Sequence, residues 1–345
     1  MKLRINMLSK ADSVDGQGVG SAYKEQVSLV KEASDLFDVS INGRGNKYDI
    51  YHIHSVNPSF YFKLLRKKKA IFVTYVHFLP TTLDGSIKLD KLSFSIFKKY
   101  VVSLYKHSKE IVVVNPIFIE PLVKLGIKKE NITYIPNYVS KDSFYKLDND
   151  KIDQIKDKYE IDRNKFVVLG VGQVQNRKGV LDFVDVANKN PDIQFVWAGG
   201  FSFGMITDGY KELKAIVDNP PKNVKFLGII PRDKMNEIYN ISDCLFMPSY
   251  NELFPMSILE AVNTSIPIVL RDLDLYTDIL FEKYLKGTNN DEFSNIIKEL
   301  KNDKELYESA ALDSEYISKY YSKDHVLEIW KEYYPRIYNK YNKEK

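Results

Sequence analysis

The chain has 345 residues, of which 44% are hydrophobic and 28% charged, and a formal net charge of +4. That length and usage fit two globular domains with full cores and exclude a disordered or fibrous chain. A single cysteine, Cys244, excludes an intrachain disulfide and fits a reducing compartment.

Residues 2–8, 48–54, 70–76, 110–114 and 132–135 read as strands, with helices near 19–37, 57–68, 87–107 and 116–125. The cycle then restarts, with strands at 165–172, 193–200, 224–228, 243–249 and 267–272 and helices near 178–189, 208–218, 232–240 and 256–264. Strands alternating with helices over short links predict α/β domains with parallel sheets covered on both faces. Two such series predict two doubly wound, Rossmann-like domains, 1–150 and 151–320, the divide falling in the polar stretch 140–164. A last aromatic, helical segment, 321–345, is expected to cross back to the first domain, with Pro335 kinking it. The longest apolar runs, such as AIFVTYVHFLP, are about half the ~20 residues that cross a bilayer, and MKLRINMLSK lacks the long apolar core of a signal peptide.

Charge is uneven. Residues 1–150 hold 23 Lys+Arg against 15 Asp+Glu, a net of +8; the remainder holds 27 against 31, a net of −4. A basic first half is suited to an anionic partner such as a lipid surface, a nucleic acid or a phosphorylated substrate. No nucleic-acid recognition motif accompanies the charge. In residues 87–109, Leu89, Leu92, Ile96, Tyr100 and Leu104 fall on one helical stripe, among Lys88, Lys91, Lys98, Lys99 and Lys106. This is either a core-facing helix with a solvated lysine face or an attachment to anionic lipid.

The stretch VDGQGVGSAY raises the question of a dinucleotide fingerprint. Its glycines, Gly16, Gly18 and Gly20, do not keep the G-x-G-x-x-G spacing, and the loop begins several residues after the strand. Gly18 and Gly20 instead either let backbone approach a ligand or form a plain flexible turn before a helix.

Open α/β sheets bind ligands at the carboxyl ends of their strands. The most informative loop there is PSYNELFPMSILEAVNTSIPIVLRD, residues 248–272. Glu252 follows a strand, and Glu260 stands eight positions later inside a helix that starts near Pro255. A helix start offers free N–H groups to an anion, and carboxylates accept hydrogen bonds from sugar hydroxyls. The spacing alone also fits a capping Glu252 and a surface Glu260.

This stretch resembles the Glu–seven residues–Glu motif of retaining glycosyltransferases of family 4, which have the GT-B fold, two Rossmann-like domains facing a central cleft. VLGVGQVQNRKGVLDFVDVA (168–187), VKFLGIIPRDKMNEIYNISDCLFMPS (224–249) and ENITYIPNYV (130–139) are similar to further segments of that family. The resemblance implies that Glu252 holds donor-sugar hydroxyls, Glu260 the nucleotide ribose and Lys178 the donor diphosphate. Phe254, Pro255, Met256 and Ser257 would form the loop at the phosphates, and Gly172 the turn after the strand. His77, in TYVHFLP, would be the active-site histidine that contacts the donor sugar. The family's arginine after the strand glycine is replaced by Gln173, and Arg177 is the nearby candidate to substitute. Tyr138 stands where the family commonly has glycine.

The implied reaction moves a hexose from UDP-glucose or UDP-galactose with retention and without a metal or other cofactor. Asp272-x-Asp274 is read as accidental, and His52 and His54 as structural. Within the family the chain resembles bacterial diacylglycerol glycolipid synthases that add a second hexose to monoglucosyl-diacylglycerol, the kind of anchor used by lipoteichoic acid. That implies a glycolipid acceptor and a cytoplasmic, peripheral position on the inner face of an anionic membrane. The alternatives are a glycosyltransferase of cell-surface polysaccharide and, from another class, a noncatalytic nucleotide-sugar-binding protein.

Overall fold

The computed structural model describes residues 2–10, 18–45, 47–67, 69–79, 91–202, 204, 207 and 209–342. Of the glycine-rich stretch, residues 14–17, with Gly16, lie outside these, as do Lys88 and Leu89. The chain divides into two units, residues 1–138 with 321–345, and residues 139–320. The division therefore falls twelve residues before the expected boundary at 150, and residues 139–150 go with the second unit.

The first unit runs β1 (Leu3–Leu8), α1 (Gly18–Glu32), β2 (Phe37–Ile41), β3 (Ile50–Ile53), α2 (Pro58–Arg66), β4 (Ile71–Val76), α3 (Lys91–His107), β5 (Glu110–Val113), α4 (Ile119–Lys124) and β6 (Ile132–Tyr134). Its six strands are parallel, in the order β2-β1-β3-β4-β5-β6. β4 is buried at every residue, as a central parallel strand covered on both faces must be. Asn57 starts α2 by accepting from the Ser59 amide, with Pro58 at the first turn, and Phe60 and Leu64, one turn apart, bury the inner face.

The second unit runs α5 (Asn149–Lys158), β7 (Val167–Val171), α6 (Val180–Asn188), β8 (Gln194–Ala198), α7 (Tyr210–Asp218), β9 (Val224–Gly228), α8 (Met235–Asn240), β10 (Cys244–Met247), α9 (Met256–Asn263), β11 (Ile268–Arg271), α10 (Thr277–Leu280), β12 (Leu285–Gly287), α11 (Asn290–Asn302) and α12 (Lys304–Tyr320). Its sheet, also parallel, has the order β12-β11-β10-β7-β8-β9. Phe183, Phe195, Trp197, Phe246 and Phe293 form its aromatic core.

The last helix, α13 (Lys323–Asn342), runs through Pro335 and belongs to the first unit. Trp330 and Tyr334 stack at 5.1 Å and are buried there. Glu110, a buried carboxylate on β5, accepts from Lys340 Nζ at 2.7 Å and from the Tyr341 hydroxyl at 2.9 Å. A buried charge needs such partners, and here both come from α13.

The apolar stripe expected along residues 89–104 lies on α3 from Leu92 onward but is not buried along its length. α3 buries Val101, Leu104 and Tyr105 at its C-terminal half, while Leu92 and Ile96 are 71% and 61% exposed at its start. Phe62 on α2 is also exposed. The helix leaves the core after one end, so its two halves do not share one buried face.

Candidate active site

The site builds up from three loops at the carboxyl ends of β7, β10 and β11. After β7, Gly172 takes φ +145°, and the turn closes at Gly179 with φ +69°. A Cβ on Gly179 would stand 2.4 Å from the Pro248 carbonyl oxygen. Only glycine lets the Lys178 turn lie this close to the start of the loop after β10.

That approach brings Lys178 Nζ to 2.5 Å from Glu252 Oε1, both side chains being largely buried. Each charge answers the desolvation of the other, and loss of either partner would strand the survivor. Burial lowers the Lys178 pKa; the Glu252 carboxylate opposes this, and Arg177 adds to it. Arg177 Nε donates to Gln175 Oε1 at 3.0 Å, and Gln175 Nε2 donates to Gln173 Oε1 at 2.8 Å. Arg177 Nη1 also reaches the Asn251 carbonyl at 3.4 Å. Gln173, Gln175 and Arg177 thus form one hydrogen-bonded chain that reaches the Glu252 loop at Asn251, and Lys178 with Glu252 forms a separate pair.

Arg271, at the end of β11, braces these residues from below. Its Nε donates to the Pro248 carbonyl and its Nη1 to the Thr288 carbonyl, each at 2.9 Å. Its guanidinium lies 4.0 Å from the centre of the Tyr250 ring and 3.3 Å from Asp182 Oδ1. The Tyr250 hydroxyl donates to the same Asp182 oxygen at 3.1 Å. One planar cation therefore holds the Glu252 loop to β11 and to α6.

Glu260 sits on α9, whose cap position is Pro255, without a side-chain capping bond. Glu252 is therefore not a helix cap. The amides of Met256 and Ser257 precede any carbonyl of their own helix. Phe254 and Met256 are buried, and Ser257 Oγ donates to Met247 Sδ at 3.3 Å. Glu260 is buried rather than a surface charge, paired with Arg232 through Oε1 and accepting from the Tyr239 hydroxyl at 2.8 Å through Oε2. Burial and Glu260 hold the Tyr239 pKa well above its usual value, so this phenol keeps its proton and donates.

Gly18 and His77 belong to the first unit. Gly18 is the first residue of α1. His77 directly follows β4 and is buried beside Tyr75, with ring centroids 4.6 Å apart. His52 and His54 lie near it, their rings 4.3 Å apart, with His54 6.2 Å from His77. His52 Nδ1 is 2.8 Å from the Tyr334 hydroxyl. Burial pushes the pKa of His52 down to about 3 and that of His77 down to about 4, and that of His54 well below its usual value. All three are neutral near pH 7. Among the described residues no group of three or more His, Cys, Asp or Glu could hold a metal ion, and Asp272 pairs with Lys286 at 3.6 Å.

Sequence reasoning missed Arg232, Tyr239, Tyr250, Asp182 and Arg271. Arg232 lies after β9, at the carboxyl end that pointed to the other residues, but its role depends on reaching Glu260 across 28 positions.

Two family models match the chain, Glycosyltransferase Family 4 over residues 34–143 and Glycosyl transferases group 1 over residues 151–313. Alpha-galactosylglucosyldiacylglycerol synthase of Streptococcus pneumoniae is 43% identical over 336 residues, 97% of this chain and 90% of that protein. Processive diacylglycerol alpha-glucosyltransferase of Acholeplasma laidlawii is 28% identical, over 84% of this chain and 86% of that protein. Among solved structures, Anabaena Alr3699/HepE in complex with UDP and glucose matches with a TM-score of 0.76 at 16% identity, covering 96% of this chain and 98% of that one. A relative 43% identical along nearly its whole length, with family models falling on both units, places this chain among the family 4 and group 1 glycosyltransferases, in the GT-B fold.

Proposed function

We propose that this chain transfers a hexose from UDP-glucose or UDP-galactose to a diacylglycerol glycolipid such as monoglucosyl-diacylglycerol. The observation that carries the reading is the 43% identity to the galactosylglucosyldiacylglycerol synthase. The Lys178–Glu252 pair supplies the chemistry. On donor binding, Lys178 turns to the diphosphate, where negative charge develops as UDP leaves, and Glu252 accepts from sugar hydroxyls. Glu260, held by Arg232 and Tyr239, takes the ribose. Arg177 supplies the cation that Gln173 lacks, and His77 and Gly18 are the first unit's functional residues.

Transfer proceeds with retention, the departing phosphate serving as base, and needs neither a metal nor another cofactor. The protein works on an anionic membrane surface from the cytoplasmic side. Support comes from α2 and α3, where residues 57–79 and 91–109 contain no Asp or Glu, and where Phe62, Leu92 and Ile96 are exposed among lysines. No described helix is long and apolar enough to cross a membrane.

The test supplies radiolabelled UDP-glucose or UDP-galactose with monoglucosyl-diacylglycerol in anionic or zwitterionic vesicles, with and without chelator. The expected result is an α-linked diglycosyl lipid, formed faster on anionic vesicles and equally in chelator. Transfer only to an undecaprenol-linked sugar would favour a polysaccharide enzyme; a 26% identical Escherichia coli relative is a UDP-Gal:alpha-D-GlcNAc-diphosphoundecaprenol alpha-1,3-galactosyltransferase.

A further inference from the structure

Tyr276 closes the short turn that follows β11, its amide donating to the Leu273 carbonyl at 3.0 Å. Its side chain is fully buried, and the ring packs edge-on to Tyr284 at 5.8 Å. Its hydroxyl is buried as well and has no hydrogen-bond partner among the described residues. A phenol so placed ordinarily finds a partner.

Its position is not remote. β10 and β11 are neighbours in register, Met247 opposite Leu270, so the Glu252 loop and the Tyr276 turn leave adjacent strands at the same end. Arg271, five residues before Tyr276, binds the Pro248 carbonyl, four residues before Glu252. The Glu252 carboxylate is close enough to raise the Tyr276 pKa, second to burial as a cause.

We propose that the Tyr276 hydroxyl is a donor-sugar contact, bonding a hexose hydroxyl that Glu252 also binds. This rests on the UDP-hexose reading above. The ligand chemistry follows from the pair of groups. An ionised carboxylate only accepts, whereas a phenol both donates and accepts. A sugar hydroxyl can donate to Glu252 and accept from Tyr276 at once. A phosphate oxygen accepts only and has no proton to give Glu252. Tyr276 therefore reads the sugar and not the diphosphate.

The experiment compares wild type with Tyr276→Phe, which removes one oxygen and keeps the ring. Binding of UDP, UDP-glucose and UDP-galactose is measured by calorimetry, thermal unfolding is followed without ligand, and transfer is assayed with the preferred donor. The expected result is unchanged UDP affinity and about 10-fold weaker binding and transfer with the UDP-hexose. The ligand-free melting temperature should stay equal or rise, because a buried hydroxyl without a partner is removed. Equal affinity for the UDP-hexose in both proteins overturns the proposal, and so does a lowered melting temperature with equally weakened UDP and UDP-hexose binding, which marks a structural hydroxyl. If wild type binds none of the three nucleotides, the underlying reading fails instead.

Discussion

Each unit has its own six-stranded parallel sheet, yet the two bury opposite kinds of polar group toward the carboxyl ends of their strands. The second holds charges, Lys178 against Glu252 and Arg232 against Glu260. The first holds neutral rings, His52, His54 and His77 among Tyr75, Trp330 and Tyr334. All five histidines of the chain lie in the first unit and none in the second. Paired charges can be handed to a charged ligand, whereas neutral imidazoles are sensitive to protons. The second unit's charge pairs thus suit the proposed diphosphate, and acid should act first on the other unit.

The largest effect should come from breaking the Lys178–Glu252 pair. Lys178→Met leaves Glu252 buried alone, and the expected cost is about 3–5 kcal/mol of stability with loss of transfer. In the double variant Lys178→Met/Glu252→Gln, melting temperature should recover while activity stays lost. Recovery of both would mean that the pair is only structural.

Next comes acid. His52 and His77 bind protons less readily folded than unfolded, so below about pH 6.5 the unfolded chain takes up protons that the folded chain refuses. The first unit is at full stability above that pH and loses it as pH falls toward about 4, roughly 2 kcal/mol from each of the two by pH 5. The two tryptophans report the units separately, Trp330 in the first and Trp197 in the second. In Trp197→Phe and Trp330→Phe proteins the remaining signal should unfold earlier at pH 5 only where Trp330 remains. A coincident shift at both sites would erase the contrast.

The smallest effect tests how the charged groups are held. Arg271→Lys keeps the charge but loses the two-carbonyl grip and the flat stack on Tyr250. It should lower kcat/KM about 10-fold, and Tyr250→Leu, at a ring that is 55% exposed, should lower it less. Full activity in both would show that the Glu252 loop needs no brace.

The strands legible in sequence are the apolar runs, most of them buried along their length, with the half-exposed edge strands Ile132–Tyr134 and Val224–Gly228 among them. The two that were missed, Phe37–Ile41 and Leu285–Gly287, are edge strands of their sheets, half-exposed and too polar or short to register as apolar runs. Helix α5 was missed for a related reason, since Lys156 is its one buried residue. In the site, Lys178, Glu252 and Glu260 were readable because motif and strand end coincide. Arg271 and Tyr276 were not, because what matters there is a carbonyl 23 residues away and a hydroxyl left without a partner.

The return of α13 to the first unit sets an order of events during synthesis. Everything the second unit needs, residues 139–320, is synthesised before Lys340 and Tyr341. Until then Glu110 lies in a nascent sheet without its partners, and His52 lacks the Tyr334 hydroxyl. The unit whose synthesis starts first is thus the last to be completed, and a chain ending near residue 320 would carry every residue of the second unit joined to a first unit without α13.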